Sequence, residues 1–223
     1  MSNRIHPADR TPIVVLEGVD GAGKSSQAKV VAATLRAAGV RVAEPTRDPR
    51  RRIRALYKNL ISEIADFPSP ETSVFLGLSD YADALDRSGS DPCDVRLFER
   101  YCYSAIADGI TLGMDPKKAA SLARFFPDPL VTLFIDLDAE LALARKGECT
   151  LAEAGGPDYT SAHQAIEESF ISYQEGVRNA YRFLGETGAI ANLVVIDGSL
   201  AFDEVTNSIL SALSPFLNAR IAA

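Results

Sequence analysis

Three observations make this sequence read as an α/β fold built on a parallel sheet. Short apolar runs of strand length recur along the chain, and stretches of helical periodicity separate them. The first run also ends in a glycine-rich turn that opens directly into an alanine- and valine-rich helix. In chain order, strands are expected at 12–16, 40–43, 95–98, 130–135 and 193–196. Helices are expected at 25–38, 50–63, 71–87, 116–125, 139–146, 162–186 and 202–217, with Gly39, Pro127 and Gly188 as stops. Residues 147–160, GECTLAEAGGPDYT, have no periodicity of their own and read as a mobile loop, the core of a lid at about 147–162. The expected organisation is a short extension, 1–11, followed by one domain, 12–223.

Composition narrows the function. With 47% hydrophobic and 24% charged residues, the 223-residue chain is ordinary for one globular core. Its longest apolar runs, such as 129–137, fall far short of the roughly 20 residues a membrane span needs. The start, MSNRIHPADR, has no apolar leader segment. Three cysteines without metal-ligand spacing suit a reducing cytoplasm rather than a disulfide framework. A net charge of −7 argues against a nucleic-acid partner, so an anionic ligand must be met by a local cluster of cations.

Residues 18–25, GVDGAGKS, follow the first strand and satisfy the pattern G-x-x-x-x-G-K-[ST]. Glycines there let backbone amides turn inward around phosphates, and the following helix adds its positive end. Lys24 supplies a full charge, Ser25 a hydroxyl for Mg²⁺, and Asp20 a carboxylate beside the reacting groups. ATP with Mg²⁺ is the expected nucleotide, its phosphates held by Gly18, Val19, Asp20, Gly21, Ala22, Gly23, Lys24, Ser25 and Ser26.

In an open parallel sheet, ligands bind at the carboxyl ends of the strands. After the second strand, EPTRDPRRRIR places Arg47, Arg50, Arg51, Arg52 and Arg54 within eight residues, and one or two of them are expected to meet a second anion. After the third, Glu99 and Arg100 emerge together; an arginine there can clamp a phosphate with two parallel N–H bonds. The two histidines, His6 and His163, read as surface residues rather than bases.

The blocks VVLEGVDGAGKSSQA (14–28), EPT followed by IR (44–46 and 53–54), ERYCYSAIA (99–107), PDPLVTLFIDLDAELALAR (127–145), GVRNAYRFLGE (176–186) and VVIDGS (194–199) resemble, in order, those of the thymidylate kinase family. The resemblance implies a three-layer P-loop NTPase fold with a five-stranded parallel sheet and helices on both faces, a lid, a homodimer, and phosphoryl transfer from ATP to a nucleoside monophosphate. By matching position, Lys24 and Ser25 would hold the ATP phosphates and Mg²⁺, Arg100 would hold the acceptor phosphate with Asp20 assisting, Arg145 would face the nucleotide donor, and Tyr181 would lie near the acceptor sugar or base. Glu99 is expected to complete the catalytic group of Lys24, Asp20 and Arg100, and Glu44, Arg47, Arg54 and Ser104, with the divergent Tyr81 and Asp108, are expected around the acceptor. Departures fall at Glu99 for the family's usual Asp, at Ala43 for its Arg, and at Gly77, Tyr81, Ala105 and Asp108 where it reads the base. The family's catalytic arginine is missing from both of its usual places: Gly21 stands in the loop, and the lid has no arginine between Lys146 and Arg178. Three other readings stay open: a deoxynucleoside kinase using Glu44 as base, a regulatory nucleotide binder (though no NKxD motif is present), and a family member that only binds nucleotide.

Overall fold

The structure is a computed structural model that describes residues 11–49, 51, 53–56, 68–88, 92–160 and 165–221. Five strands, β1 (Ile13–Gly18), β2 (Val42–Ala43), β3 (Val95–Glu99), β4 (Val131–Asp136) and β5 (Leu193–Asp197), pair all-parallel in the order β2-β3-β1-β4-β5. β1 is buried along its whole length, as a strand covered on both faces should be, and Glu17 is its one charged residue. From β1 the chain passes to β2 on one side of the sheet, and from the adjacent β4 to β5 on the other, so the carboxyl end of β1 lies at the switch point where a crevice opens. Register sets what meets there: Leu16 lies beside Glu99 and Gly18 beside Ile135.

The helices are α1 (Lys24–Ala37), α2 (Pro70–Ser88), α3 (Cys102–Thr111), α4 (Pro116–Ser121), α5 (Ala139–Lys146), α6 (Pro157–Thr160), α7 (Ile166–Glu186) and α8 (Phe202–Ile221). α1 packs against α8, while α2, α3, α7 and α5 pack in succession to form a second layer. One apolar core runs through all three layers, with Leu16, Phe98, Ile106, Phe134 and Leu184 completely buried.

All five predicted strands form, β2 in its last two residues only. The predicted helix 116–125 divides into α4 and a 3₁₀ turn at Leu122–Phe125. Most of the predicted helix 50–63 falls outside the described residues, although 53–56 are helical. α3 was not expected. Its sequence, CYSAIADGIT, is buried on nearly every side, so it lacks the polar stripe that betrays a helix. The stretch 147–160 differs from a structureless loop: residues 151–155 turn, α6 follows, and Ala154 is completely buried. The Ser169 hydroxyl donates to the Ala154 carbonyl (2.7 Å), so α7 anchors this cap from beneath.

Candidate active site

The glycine-rich loop joins β1 to α1, with Gly23 as the residue capping the helix. Gly21 has φ +87°, and a Cβ on it would stand 2.4 Å from the Ala142 carbonyl oxygen. The loop and α5 therefore touch backbone to backbone, which no side chain at position 21 would permit. Lys24 is 5% exposed and its Nζ donates to the carbonyls of Gly18 (2.9 Å) and Val19 (2.6 Å) while lying 3.6 Å from Asp20. Burial, with Arg100 nearby, pushes its ammonium down to about 8. Burial alone would raise the Asp20 carboxyl, but Arg100, Lys24 and Lys146 hold it down at about 2.

At the tip of β3, Glu99 bridges two elements. One carboxylate oxygen accepts from the Ser25 hydroxyl, and the other from Arg47 Nη2 at 2.9 Å. Arg47 also donates to the Ser25 carbonyl (2.8 Å). Arg100 follows in a left-handed conformation, φ 67°, its amide held by the Leu16 carbonyl (2.9 Å) and its guanidinium paired with Asp20. Burial opposes the Arg100 charge, but Asp20 together with Tyr181, Tyr81 and Asp108 more than offsets it and the group stays protonated.

Two cavities meet at this point. One, of about 560 Å³, is lined by residues 20–27, by Arg145, Lys146 and Glu153, and by Glu99 and Arg100. The second, of about 460 Å³, is lined by Arg47, Arg51, Arg54 and Tyr81 and again by Glu99 and Arg100. Arg51 forms the floor of the second, its Nε 3.1 Å from Asp80 and its guanidinium 5.9 Å from the centre of the Tyr81 ring. One cavity is bordered by the glycine-rich loop and the other by three arginines of the segment after β2, and Glu99 and Arg100 line both.

A family model described as thymidylate kinase matches residues 16–209. The chain belongs to the thymidylate kinase family. It is similar to the thymidylate kinase of Dinoroseobacter shibae, 30% identical over 214 residues that cover 91% of this chain and 96% of the relative. The thymidylate kinase of Desulfovibrio desulfuricans is 29% identical over 221 residues, covering 93% and 97%. A probable thymidylate kinase of Thermococcus kodakarensis is 32% identical over 143 residues, covering 59% and 69%. The all-parallel five-stranded sheet is the one this resemblance implied, and ATP is the nucleotide the family uses.

Within this kinase, the expected acceptor residues divide. Arg47, Arg54, Tyr81 and Arg100 line the second cavity. Ser104 and Tyr181 do not: Ser104 is 3% exposed and Tyr181 wholly buried, both hydrogen-bonded to Glu17 (2.6 and 2.7 Å). They brace the floor behind Arg100 instead of facing a ligand. Glu44 also lines neither cavity, because Arg36 (2.9 Å) and Arg47 (3.3 Å) hold its carboxylate. Arg145 does line the first cavity, yet its guanidinium donates to the carbonyls of Gly198 (2.6 Å), Ser199 (3.1 Å) and Leu200 (3.3 Å) and shapes the wall after β5. Gly77 explains part of the divergence around the base. A Cβ there would approach the Ala105 Cβ to 2.8 Å, so α2 and α3 close together where larger side chains would have kept them apart. Arg50, Arg52, His6 and His163 lie outside the described residues.

Sequence reasoning missed two parts of the site. Glu17, a lone carboxylate within an apolar strand, carried a readable signal: a buried charge next to a phosphate loop needs partners. Gln174 carried none. Its amide oxygen accepts from the Asp20 backbone N–H (2.9 Å) and its amide nitrogen donates to the Glu153 carbonyl (2.8 Å), tying the cap to the phosphate loop.

Asp108, half-buried on α3, accepts from the Tyr173 hydroxyl (3.1 Å) and also lines neither cavity. Burial pushes its carboxyl up to about 6, with Arg100 working against the rise and Asp20 and Glu17 adding to it. A carboxyl raised in the fold from 3.8 costs stability as pH climbs from about 4 to 6, and the full cost remains above that window. Asp108→Asn is therefore expected to be about 1 kcal/mol more stable than the parent at pH 7.5, allowing for partial exposure, and no more stable at pH 3.5. Urea melts at the two pH values check this; an equal gain at both would remove the titration as its cause.

Proposed function

We propose that the protein transfers the γ-phosphoryl group of ATP to the phosphate of a nucleoside monophosphate, with thymidylate, the acceptor named for its relatives, as the first candidate. One observation carries the reading: the phosphate-loop cavity and the arginine-lined cavity share Glu99 and Arg100. That supports a reading in which donor and acceptor anions lie on either side of one guanidinium, the arrangement in-line transfer needs. The loop amides, Lys24 and the start of α1 hold the donor phosphates. Arg100, with Arg47 and Arg54 around it, holds the acceptor phosphate, which is already a nucleophile at neutral pH. Asp20 orients Arg100.

The Ser25 hydroxyl and the Glu99 carboxylate offer hard oxygens at the mouth of the loop, which suits Mg²⁺, an ion that takes one or two protein oxygens and completes its shell with phosphates and water. Bound there, the ion would neutralise charge on the phosphates. The proposal extends to a homodimer in the cytoplasm. The dimer rests on the family alone; the compartment is supported by three free cysteines and by the lack, among the described residues, of any helix long and apolar enough to cross a membrane.

Coupled ADP release from ATP and Mg²⁺, against a panel of nucleoside monophosphates and free nucleosides, tests the reading. Turnover is expected with at least one deoxynucleoside monophosphate, and at least about a hundredfold less with the matching nucleoside, because Arg100 then loses its anion. Faster turnover on free nucleosides would favour a nucleoside kinase instead. The geometry speaks against that rival, since its required base, Glu44, is committed to two arginines.

A further inference from the structure

We propose that Lys146 supplies the charge that meets the transferring phosphoryl group, and that Glu153 holds it beside the phosphate loop until the nucleotide arrives. The inference rests on the phosphoryl-transfer reading above and adds to it a catalytic residue from the end of α5. Four cations line the donor cavity: Lys24, Arg100, Arg145 and Lys146. Three already have another role. Lys24, resting on two loop carbonyls, serves the donor phosphates from the loop side, Arg100 is paired with Asp20 on the acceptor side, and Arg145 is spent on the carbonyls of 198–200. Lys146 has one carboxylate partner, Glu153 at 2.9 Å, and both side chains are part-exposed to the cavity, at 29% and 24%. The cap brings no cation of its own, because no lysine or arginine stands between Lys146 and Arg178, and Arg178 is bound to Asp136 (2.5 Å) on another side of α5.

Placement follows from backbone contacts. Lys146 is the last residue of α5, and the Ala142 carbonyl of that helix is the atom that lies against Gly21. Gly147, at φ +81°, then turns the chain away, leaving the Lys146 stem at the cavity wall. Its charge is close enough to the loop to help hold the Asp20 carboxyl down. The resting partner is fixed just as firmly. Glu153 accepts from the Thr150 amide (2.8 Å) and hydroxyl (2.9 Å), and its carbonyl is tied through Gln174 to the Asp20 amide.

A part-exposed ion pair of this kind is weak. The terminal phosphate of ATP carries more charge than one carboxylate, and it arrives with the phosphate loop already in contact with α5. Lys146, on a flexible stem, then leaves Glu153 for the phosphoryl oxygens. During transfer, the bond from phosphorus to the bridging oxygen breaks as the bond to the acceptor oxygen forms, and the electron pair stays with ADP. Lys146 keeps its protons and contributes charge alone.

The test uses the full chain with Lys146→Met, Lys146→Arg and Glu153→Gln. For Lys146→Met, kcat is expected to fall about thirtyfold or more while the Kd for ADP, which lacks the γ-phosphate, changes less than about twofold. Its preference for a non-hydrolysable ATP analogue over ADP is expected to shrink about tenfold, and Lys146→Arg is expected to restore most of both losses. Glu153→Gln, which removes the competing carboxylate, is expected to lower the KM for ATP. A kcat for Lys146→Met within about threefold of the parent, or a loss of ADP binding in step with kcat, would overturn the proposal. If the parent enzyme turns over no acceptor at all, the functional reading fails, and the ATP-over-ADP preference of the methionine variant still decides whether Lys146 meets the γ-phosphate.

Discussion

Arg100→Ala is expected to lower turnover by about a hundredfold or more, and Arg100→Gly to be equally inactive but more stable than the alanine variant. The first half follows from position. Arg100 borders both cavities, and its fork of donors can hold a phosphate through two parallel bonds. Arg100→Lys keeps one positive charge but not the fork, so it is expected to recover little. The second half follows from the backbone. Arg100 has φ 67°, a region in which a Cβ crowds the chain, and its amide is pinned to the Leu16 carbonyl at 2.9 Å, so the conformation persists whatever the side chain. Glycine removes that crowding and, after its larger unfolded-state entropy is set against the gain, should exceed alanine by about 1 kcal/mol. Steady-state kinetics with urea melts of the three variants read both halves. Turnover of the alanine variant above a tenth of the parent would remove Arg100 from the chemistry. Equal stability of the glycine and alanine variants would show that the left-handed geometry carries no strain.

The kinase disclosed its frame in sequence because the frame obeys local rules. A strand of a covered parallel sheet is mostly apolar, and β1, β3, β4 and β5 are, apart from residues such as Glu17, Arg96 and Thr132; a phosphate loop must have glycine, lysine and serine at fixed spacing, and 18–25 does. Elements that break those rules stayed hidden. α3 is buried almost all round, so its periodicity vanishes, and the cap at 147–160 takes its order from long-range bonds to Ser169 and Gln174 rather than from its own residues. The site divides on the same line. Lys24, Ser25, Glu99 and Arg100 follow directly from strand ends, whereas which of Tyr81, Ser104, Asp108 and Tyr181 face the acceptor depends on how α2, α3 and α7 rotate against one another. That rotation is set by contacts such as Gly77 on Ala105, which no single-chain pattern encodes.

Glu17→Ala is expected to cost about 4 kcal/mol, lowering the Tm by about 8 to 16 °C in a chain of this length, because three donors lose one acceptor group. One carboxylate oxygen of Glu17 accepts from the Tyr101 amide (2.8 Å), and the other accepts from Ser104 (2.6 Å) and Tyr181 (2.7 Å). All four residues are buried, so water cannot replace the lost bonds. Glu17→Gln keeps the shape and an acceptor for Tyr101, and its amide group can donate toward Ser104 or Tyr181, so less than half the loss is expected. Burial raises the Glu17 carboxyl above 4.5 in the fold, although Ser104 and Tyr181 hold it back. The parent therefore loses stability as pH rises above 4.5 toward the raised folded value, and its advantage over the glutamine variant should narrow in that direction. Function should follow structure. Tyr101 is the residue after Arg100, and Ser104 also accepts from Arg100 Nη1 (3.4 Å), so the alanine variant, assayed well below its melting temperature, should show a kcat about tenfold lower. An alanine variant that melts within 3 °C of the parent would mean that these donors find other partners, and that the strand carboxylate does not fix the arginine on which both cavities depend.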